Sequence, residues 1–459
     1  MDLRRVLPAL NSHERPWNDG VWYYVMAHIP TPQERRALGR AQRKQVPRQD
    51  HARWDTKLRQ HDPVKLIAES MRGRVPQLVT LKYERMMESP FGFFRGAVPV
   101  MAADLAVLPH TSIVNQICGD AHVRNLGAFA APDGRLLFDI NDFDETIRAP
   151  FEWDLKRLAT SLVLAARETC SPEEKTKDAE KAVLRFIASY RKLIETLSRM
   201  PVIEMARYAV HRLQRISPVS AALLKAERAT PLHTLDALTV ETKRGRVFKD
   251  DPPLLKRMTP AQARPVLASV KAYAASLQPE RQHFLAQYRP VDVGFKVVGT
   301  GSVGLRDYLI YLEGNGARDP LFLQVKEEPG SAYAPYLPSA AVSAGHQGMR
   351  TVEGQRAMQF QSDPFLGWTT IANRDYLVRQ LNDHKGSIEI EDLEGQGLVD
   401  YAEMCGELLA RGHARSGDAC LIAGYLGSGA KFAEALVEFA EAYADQTEKD
   451  WKVLKKNRG

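Results

Sequence analysis

The stretch Cys118–Thr146, CGDAHVRNLGAFAAPDGRLLFDINDFDET, most constrains the fold, because it threads five aspartates, a histidine and two asparagines between apolar residues. Burying a carboxylate is costly unless it is paired, hydrogen-bonded or set against a cation. The run is therefore either a well-solvated loop or the lining of a site that holds something positive. Ile113–Ile117 and Leu136–Ile140 read as short buried strands flanking the turn APDG. Asp142 and Asp144 then fall at the end of an apolar strand.

Around this run the chain is helical, then rich in strands, then helical again. Pro63 to Asp104 has apolar residues at helical spacing, interrupted by SPFGFFRG (Ser89 to Gly96), which reads as a packed loop. Trp153 to Thr169 is an amphipathic helix, and Ser171-Pro172-Glu173-Glu174 opens another that runs to about Met200. Helices continue to about Tyr288, broken by an exposed hairpin or loop at TVETKRGRVFKDDPP. After Val291 three strands are expected, then a helix near Gly348–Gln361, strands near Trp368–Ile371 and Tyr376–Leu381, and helices to the end. The fold class is α+β. The expected divisions are an amino-terminal extension (1–88), a helical region carrying the acidic run (89–290), a β-rich region (291–390) and closing helices (391–459).

The 459 residues suffice for two or three domains. Four scattered cysteines form no metal spacing and no disulfide framework, the first residues lack a signal-type apolar segment, and no stretch is long enough to span a membrane. A reducing cytoplasm is the expectation. Net charge is +7, and the segment Thr31–Gln60 alone carries +6 of it. That segment is either a solvated helical face or a patch for an anionic partner such as nucleic acid; aromatic interleaving is poor, which favours the former. Trp17, Trp22 and Trp54 would anchor the polar first 60 residues onto the rest.

Two separated blocks carry chemistry. In the later one, Gly299-Thr300-Gly301-Ser302-Val303-Gly304 matches G-x-G-x-x-G, but a strand follows it, so a dinucleotide fold is excluded. A glycine loop between strands folds over nucleotide phosphates in protein kinases. Gly299, Gly301, Ser302 and Gly304 would cover the phosphates. Lys326 in LFLQVKEE would grip them, oriented by a carboxylate on the next helix, for which Glu353 is the candidate. In the earlier block Asp120 and Asn125 have the spacing of a kinase catalytic loop, with His122 between them as a loop anchor or an aid to proton transfer. Asp142 and Asn125 supply the oxygen ligands that Mg²⁺ prefers. Asp144 is either a further metal ligand or a helix-start acid, and Asp139 reads as structural.

GDAHVRN, INDFDET and FEWDLKRLA together resemble the aminoglycoside and choline kinase type of phosphotransferase, in which Asp154 would be the helix aspartate that braces the catalytic loop. With SPFGFFRGA, VVGTGSVG, LQVKE, VEGQR, VRQL and ARGHARSGD added, the chain is more closely similar to the bacterial family known as domain of unknown function 2252. The resemblance implies a two-lobed, protein-kinase-like fold using ATP and Mg²⁺. Here the glycine loop and Lys326 follow the catalytic loop instead of preceding it, which implies a circular permutation. The expected activity is phosphoryl transfer to an unidentified hydroxyl-bearing acceptor. Nucleotidyl transfer from the same site and a non-catalytic nucleotide-binding protein are the alternatives.

Overall fold

The structure, a computed structural model, describes residues 29–171, 173–210, 216–243, 245–297, 301–338, 345–381 and 386–458. It begins with five helices, α1 (Pro32–Gln42), α2 (Pro63–Ser70), α3 (Pro76–Glu88), α4 (Pro90–Gly96) and α5 (Val98–Val107). Each has proline in its first two positions, where the fixed φ suits a helix and no N–H is needed. SPFGFFRG is thus a helix and not a loop. Ser89 caps it by accepting from the Gly92 N–H at 3.0 Å, and Phe91, Phe93 and Phe94 are buried.

Five of the nine basic residues between Thr31 and Gln60 are tied to the rest of the chain, while Arg40, Lys44, Arg53 and Lys57 are exposed, so the segment is a solvated face only in part. Arg35 pairs with Asp418 and Arg36 with Glu195, both at 3.0 Å. Arg43 donates to the Tyr425 carbonyl at 2.7 Å and Arg48 to the Leu426 carbonyl at 2.6 Å. Arg59 bridges Asp104 (2.6 Å) and Asp450 (2.9 Å). These arginines fasten the first described residues to the last helices. Trp54 does anchor, edge-on to Tyr443 with centroids 4.8 Å apart; Trp17 and Trp22 lie outside the described residues.

Four short strands follow, β1 (Val114–Ile117), β2 (Leu126–Ala130), β3 (Leu136–Ile140) and β4 (Ile147–Pro150). β1 pairs with β4, and β2 with β3, all antiparallel. The APDG turn therefore joins β2 to β3, not β1 to β3. β2 (LGAFA) and β4 (IRAP) were not expected as strands, because their small residues and proline give no alternation. Helix α6 (Glu152–Thr169) is buried through its first fifteen residues, charged ones included. Next, α7 (Lys175–Leu197) starts later than its sequence suggested: Ser171 donates to the Glu174 carboxylate at 3.2 Å instead of capping the helix. Pro172 lies outside the described residues.

Helices α8 (Val202–Ala206), α9 (Ser217–Arg228) and α10 (Pro231–Leu238) lead to the expected hairpin, β5 (Thr239–Thr242) with β6 (Gly245–Phe248). After β7 (Leu255–Arg257), α11 (Pro260–Ala275) and α12 (Pro279–Leu285) come the three expected strands, β8 (Arg289–Lys296), β9 (Asp307–Glu313) and β10 (Pro320–Glu327). Helix α13 (Gln347–Met358) and strands β11 (Gly367–Ile371) and β12 (Arg374–Gln380) follow. These strands form an antiparallel sheet of order β11-β12-β10-β9-β8-β7. Side chains alternate across it. Leu321, Leu323 and Val325 of β10 pack with α11 residues Val266 and Tyr273, and Phe322 joins a cluster on the other face. Lys326 shares the Phe322 face, away from α11.

The two-residue strand β13 (Gly386–Ser387) pairs with β2, so the late chain already touches the early block. Helices α14 (Gly395–Ser416), α15 (Ala419–Leu426) and α16 (Ala430–Arg458) close the chain and share one apolar core with α6, α7 and the early strands. The fold is mixed α+β with antiparallel sheets. No single helix among the described residues is long and apolar enough to cross a membrane.

Candidate active site

The loop 118–125, between β1 and β2, is held by backbone-directed bonds from three parts of the chain. The Asp154 carboxylate on α6 accepts from the N–H groups of Cys118 (2.8 Å) and Gly119 (2.9 Å), the bracing role expected of it. The Tyr333 hydroxyl donates to the Gly119 carbonyl at 2.7 Å and the Tyr401 hydroxyl to the Val123 carbonyl at 2.6 Å. Gly119 has φ +80°, and an added Cβ would stand 2.3 Å from the Glu145 carbonyl oxygen, so only glycine fits before Asp120. The loop's conformation is overdetermined.

One turn along α6 from Asp154, the fully buried Arg157 reaches Asp120 with Nε at 2.8 Å and Nη2 at 2.5 Å, both to Oδ1. Asp120 Oδ2 is left to face the cavity, with His122 Nε2 3.7 Å away. Burial, only partly offset by Asp120, pushes the His122 imidazole down to about 3, so the ring stays neutral around pH 7. Its Nδ1 accepts from the Arg124 N–H at 3.2 Å, an anchoring contact. Asn125 Nδ2 donates to the carbonyls of Asp120 (2.8 Å) and Asp142 (3.1 Å). Its amide oxygen remains as a neutral donor to a cation.

The second loop, 141–146, leaves β3 and is tied to the first by the Asn141 N–H to Asn125 carbonyl bond at 2.9 Å. Here the late block arrives. Lys326 Nζ lies 2.6 and 2.5 Å from the two Asp144 oxygens and 3.6 Å from Asp142, across 182 residues of sequence for the first pair. Burial opposes the Lys326 charge, but Asp142, Asp144 and the nearby Glu328 hold the ammonium on, well above its usual range. Burial also opposes the Asp144 charge, yet Lys326 keeps its carboxyl low; Asp142 is pushed up by burial and by Asp144.

Glu353 is not the partner of Lys326. It is exposed, on the outward side of α13, while Thr351, Val352 and Gln355 face inward. The helix still serves the site, through Arg350, which donates to the carbonyls of Thr146 (2.5 Å) and Asp144 (2.8 Å). Asp139 takes a structural role: fully buried, it pairs with Arg411 and accepts from the Phe360 N–H at 3.0 Å.

The glycine loop reaches the same place. Ser302 Oγ donates to Asp144 Oδ2 at 3.2 Å, and Gly301 and Ser302 line a cavity of about 550 Å³ together with Asp120, Asn125, Asp142 and Asp144. Gly304 has φ +88° and packs on the Arg74 side chain, a conformation glycine adopts without strain. Gly299 lies outside the described residues. The loop is fastened from the amino-terminal side: Lys82 Nζ donates to the Gly301 carbonyl (2.6 Å), Arg74 Nη1 to the Val303 carbonyl (2.7 Å) and the Val75 N–H to the Gly304 carbonyl (2.7 Å). Residues between Leu66 and Pro99 thus line one wall of the cavity. Lys82 and Arg74 lie in no motif that the sequence offered, while Arg95 lies in SPFGFFRGA without a role suggested for it. Arg157 had one available signal, its spacing three residues after Asp154 on one helix face.

Asp120, Asn125, Asp142, Asp144, Gly301 and Ser302 are therefore gathered on one cavity, and the buried Lys326 joins them through Asp144. Among the described residues no group of three or more His, Cys, Asp or Glu side chains is set to hold a metal by itself. The donors that suit a hard cation are two oxygens, from Asn125 and Asp142, which fits an ion completing its shell with phosphate and water.

A family model described as an uncharacterized protein conserved in bacteria (DUF2252) matches residues 74–457, a span that holds both loops, the sheet and α3–α5. No curated protein matches the chain, and no solved structure matches it.

Proposed function

We propose that this chain, which belongs to the bacterial family DUF2252, is an ATP- and Mg²⁺-dependent phosphotransferase whose site has kinase-like parts in permuted order. The observation that carries the reading is the meeting of Lys326 with Asp142 and Asp144 at 3.6 Å and 2.5 Å beside Asp120 and Asn125. A scaffold of coincidental ion pairs has no need of a cavity at that point, nor of a glycine loop along it. What supports the permutation is that α14–α16, after the sheet, share one core with α6 and α7, before it.

In this reading Lys326 exchanges its carboxylate contacts for the α- and β-phosphates of the nucleotide, and the Gly301–Gly304 backbone covers them. Asn125 and Asp142 would hold Mg²⁺, which would neutralise phosphate charge there. Arg157 fixes Asp120 by one oxygen and leaves Oδ2 to orient the acceptor hydroxyl and take its proton. That hydroxyl oxygen attacks the γ-phosphorus, and the bond to the β–γ bridging oxygen breaks to release ADP. Catalysis is then positioning and charge neutralisation.

The test is to incubate the protein with Mg²⁺ and ATP labelled on the γ- or the α-phosphorus, with metabolite and protein fractions of a bacterial extract as acceptors. Transfer of the γ label that Asp120→Asn abolishes is the expected result. Transfer of the α label would make the enzyme a nucleotidyltransferase, and absence of either transfer alongside undetectable nucleotide binding would end the proposal.

A further inference from the structure

Every described cation on the cavity wall but one has a partner. Lys82 has the Gly301 carbonyl at 2.6 Å, Arg379 has Gln324 at 3.0 Å, Arg74 has the Val303 carbonyl and Arg124 has Glu389 at 3.1 Å. Arg95 is the exception: its Nε is buried with no hydrogen-bond partner, and it forms no ion pair among the described residues. A guanidinium carries five N–H donors in a planar fork that matches oxyanions, so leaving it unmatched inside a cavity is costly.

Its position is fixed by what precedes it. α4 is anchored by three buried phenylalanines, and Arg157, which holds Asp120, also donates to the Phe94 carbonyl at 3.2 Å and stacks on the Phe94 ring at 4.3 Å. Arg95, the next residue, is thereby held beside the loop of Asp120. Burial and then the charge of Arg124 push Arg95 down to about 10, so those two cations are close enough to repel. The unmatched cation lines the cavity with Asp120, His122 and Arg124, and its backbone carbonyl lies beside Gly301 of the glycine loop. The aspartates nearby do not forbid an anion there, since Asp120 is tied to Arg157 and Asp142 faces Lys326.

We propose that Arg95, with Arg124, forms an oxyanion subsite beside Asp120, so that the acceptor is a small molecule carrying a phosphate or carboxylate as well as its hydroxyl. The oxyanion subsite stands on the geometry alone; its assignment to the acceptor rests on the phosphotransferase reading. The fork of Arg95 takes the oxyanion in two parallel bonds, and Asp120 Oδ2 then meets a hydroxyl held at a fixed distance from that anchor.

The experiment titrates inorganic phosphate, and separately acetate, into the full chain by calorimetry, with and without Mg²⁺ and a non-hydrolysable ATP analogue. Phosphate or acetate should bind wild type in both conditions, and the tighter of the two names the anchor group. Arg95→Gln should weaken that binding about tenfold or more, with Arg95→Lys recovering part of it, while Lys326→Ala leaves it nearly unchanged. Since Arg95 has no partner to lose, both Arg95 variants should melt with wild type; Arg124→Gln gives a second, smaller loss should either prove unstable. Failure of both anions to bind, or a loss caused by Lys326→Ala and not by Arg95→Gln, would overturn the subsite. Anion binding through Arg95 without any nucleotide binding would keep the subsite and remove its role as acceptor anchor together with the phosphotransferase reading.

Discussion

Asp139 and Asp142 stand at the end of one strand, three positions apart, and each meets a cation from far later in the chain. Asp139 meets Arg411 in a sealed setting, with side chains 1% and 3% exposed and further backbone donors to both oxygens. Asp142 meets Lys326 at a longer 3.6 Å, with 39% of its side chain open to the cavity. Asp154 with His413 repeats the sealed kind, at 3.3 Å and without exposure. The same residue type in one short run therefore does two jobs, decided by what fills its last hydrogen-bonding positions. Where protein groups fill them all, the aspartate clamps the fold. Where a side remains open, it is available to a ligand.

Breaking a sealed pair should have the largest effect. Asp139→Ala leaves Arg411 charged and buried without its carboxylate, which costs about 3–5 kcal/mol. Thermal or denaturant melting should show a collapse of stability, and a loss below about 1 kcal/mol would mean the pair is not the clamp described. The open pair should respond in the opposite sense. Asp142→Asn keeps an oxygen to accept the Asp144 N–H and should change stability by less than about 1 kcal/mol, while phosphoryl transfer falls about 100-fold or more. Equal damage to stability and turnover would erase the distinction between the two aspartates.

A third effect is smaller and depends on pH. His51 is buried, with Nε2 2.7 Å from the Tyr425 hydroxyl, and burial, then Lys156, hold its imidazole well below the usual 6.5. In the unfolded chain it takes a proton that the native ring refuses. Its contribution is therefore intact above pH 6.5 and lost as pH falls below it, about 1.4 kcal/mol by pH 5.5. The melting temperature should fall between pH 7.5 and 5.5 more steeply in wild type than in His51→Gln, and parallel curves would contradict the assignment. Smallest of all is Glu353→Gln. An exposed glutamate away from Lys326 should change stability by less than about 0.5 kcal/mol and leave nucleotide affinity alone.

Residues that the structure brings together could be picked out in the chain because the motifs set fixed residue types at fixed local spacings. Asp120, Asn125 and Asp142 come from two adjacent loops, and Lys326 from an alternating strand whose facing is set by period two. Glu353 was misplaced because α13 has few apolar residues to mark its buried face, which Thr351, Gly354 and Gln355 help to form. The site contribution of residues 63–99 was hidden for a different reason. Lys82 and Arg74 act on backbone carbonyls more than 200 residues away, and a carbonyl leaves no mark in the sequence. The anchoring role of part of the basic segment was hidden on the same ground, since Arg43 and Arg48 also bind carbonyls of distant residues. The helix at SPFGFFRG was legible after all in its Ser-Pro start, but its aromatics and glycines outweighed that signal.

Calorimetric titration of ATP, with and without Mg²⁺, into wild type and Lys326→Ala tests most directly whether the two blocks form one nucleotide site. The account predicts Mg²⁺-dependent binding to wild type that weakens at least about tenfold in the variant. Wild type that takes up no ATP in either condition, or a variant that binds as wild type does, would contradict it.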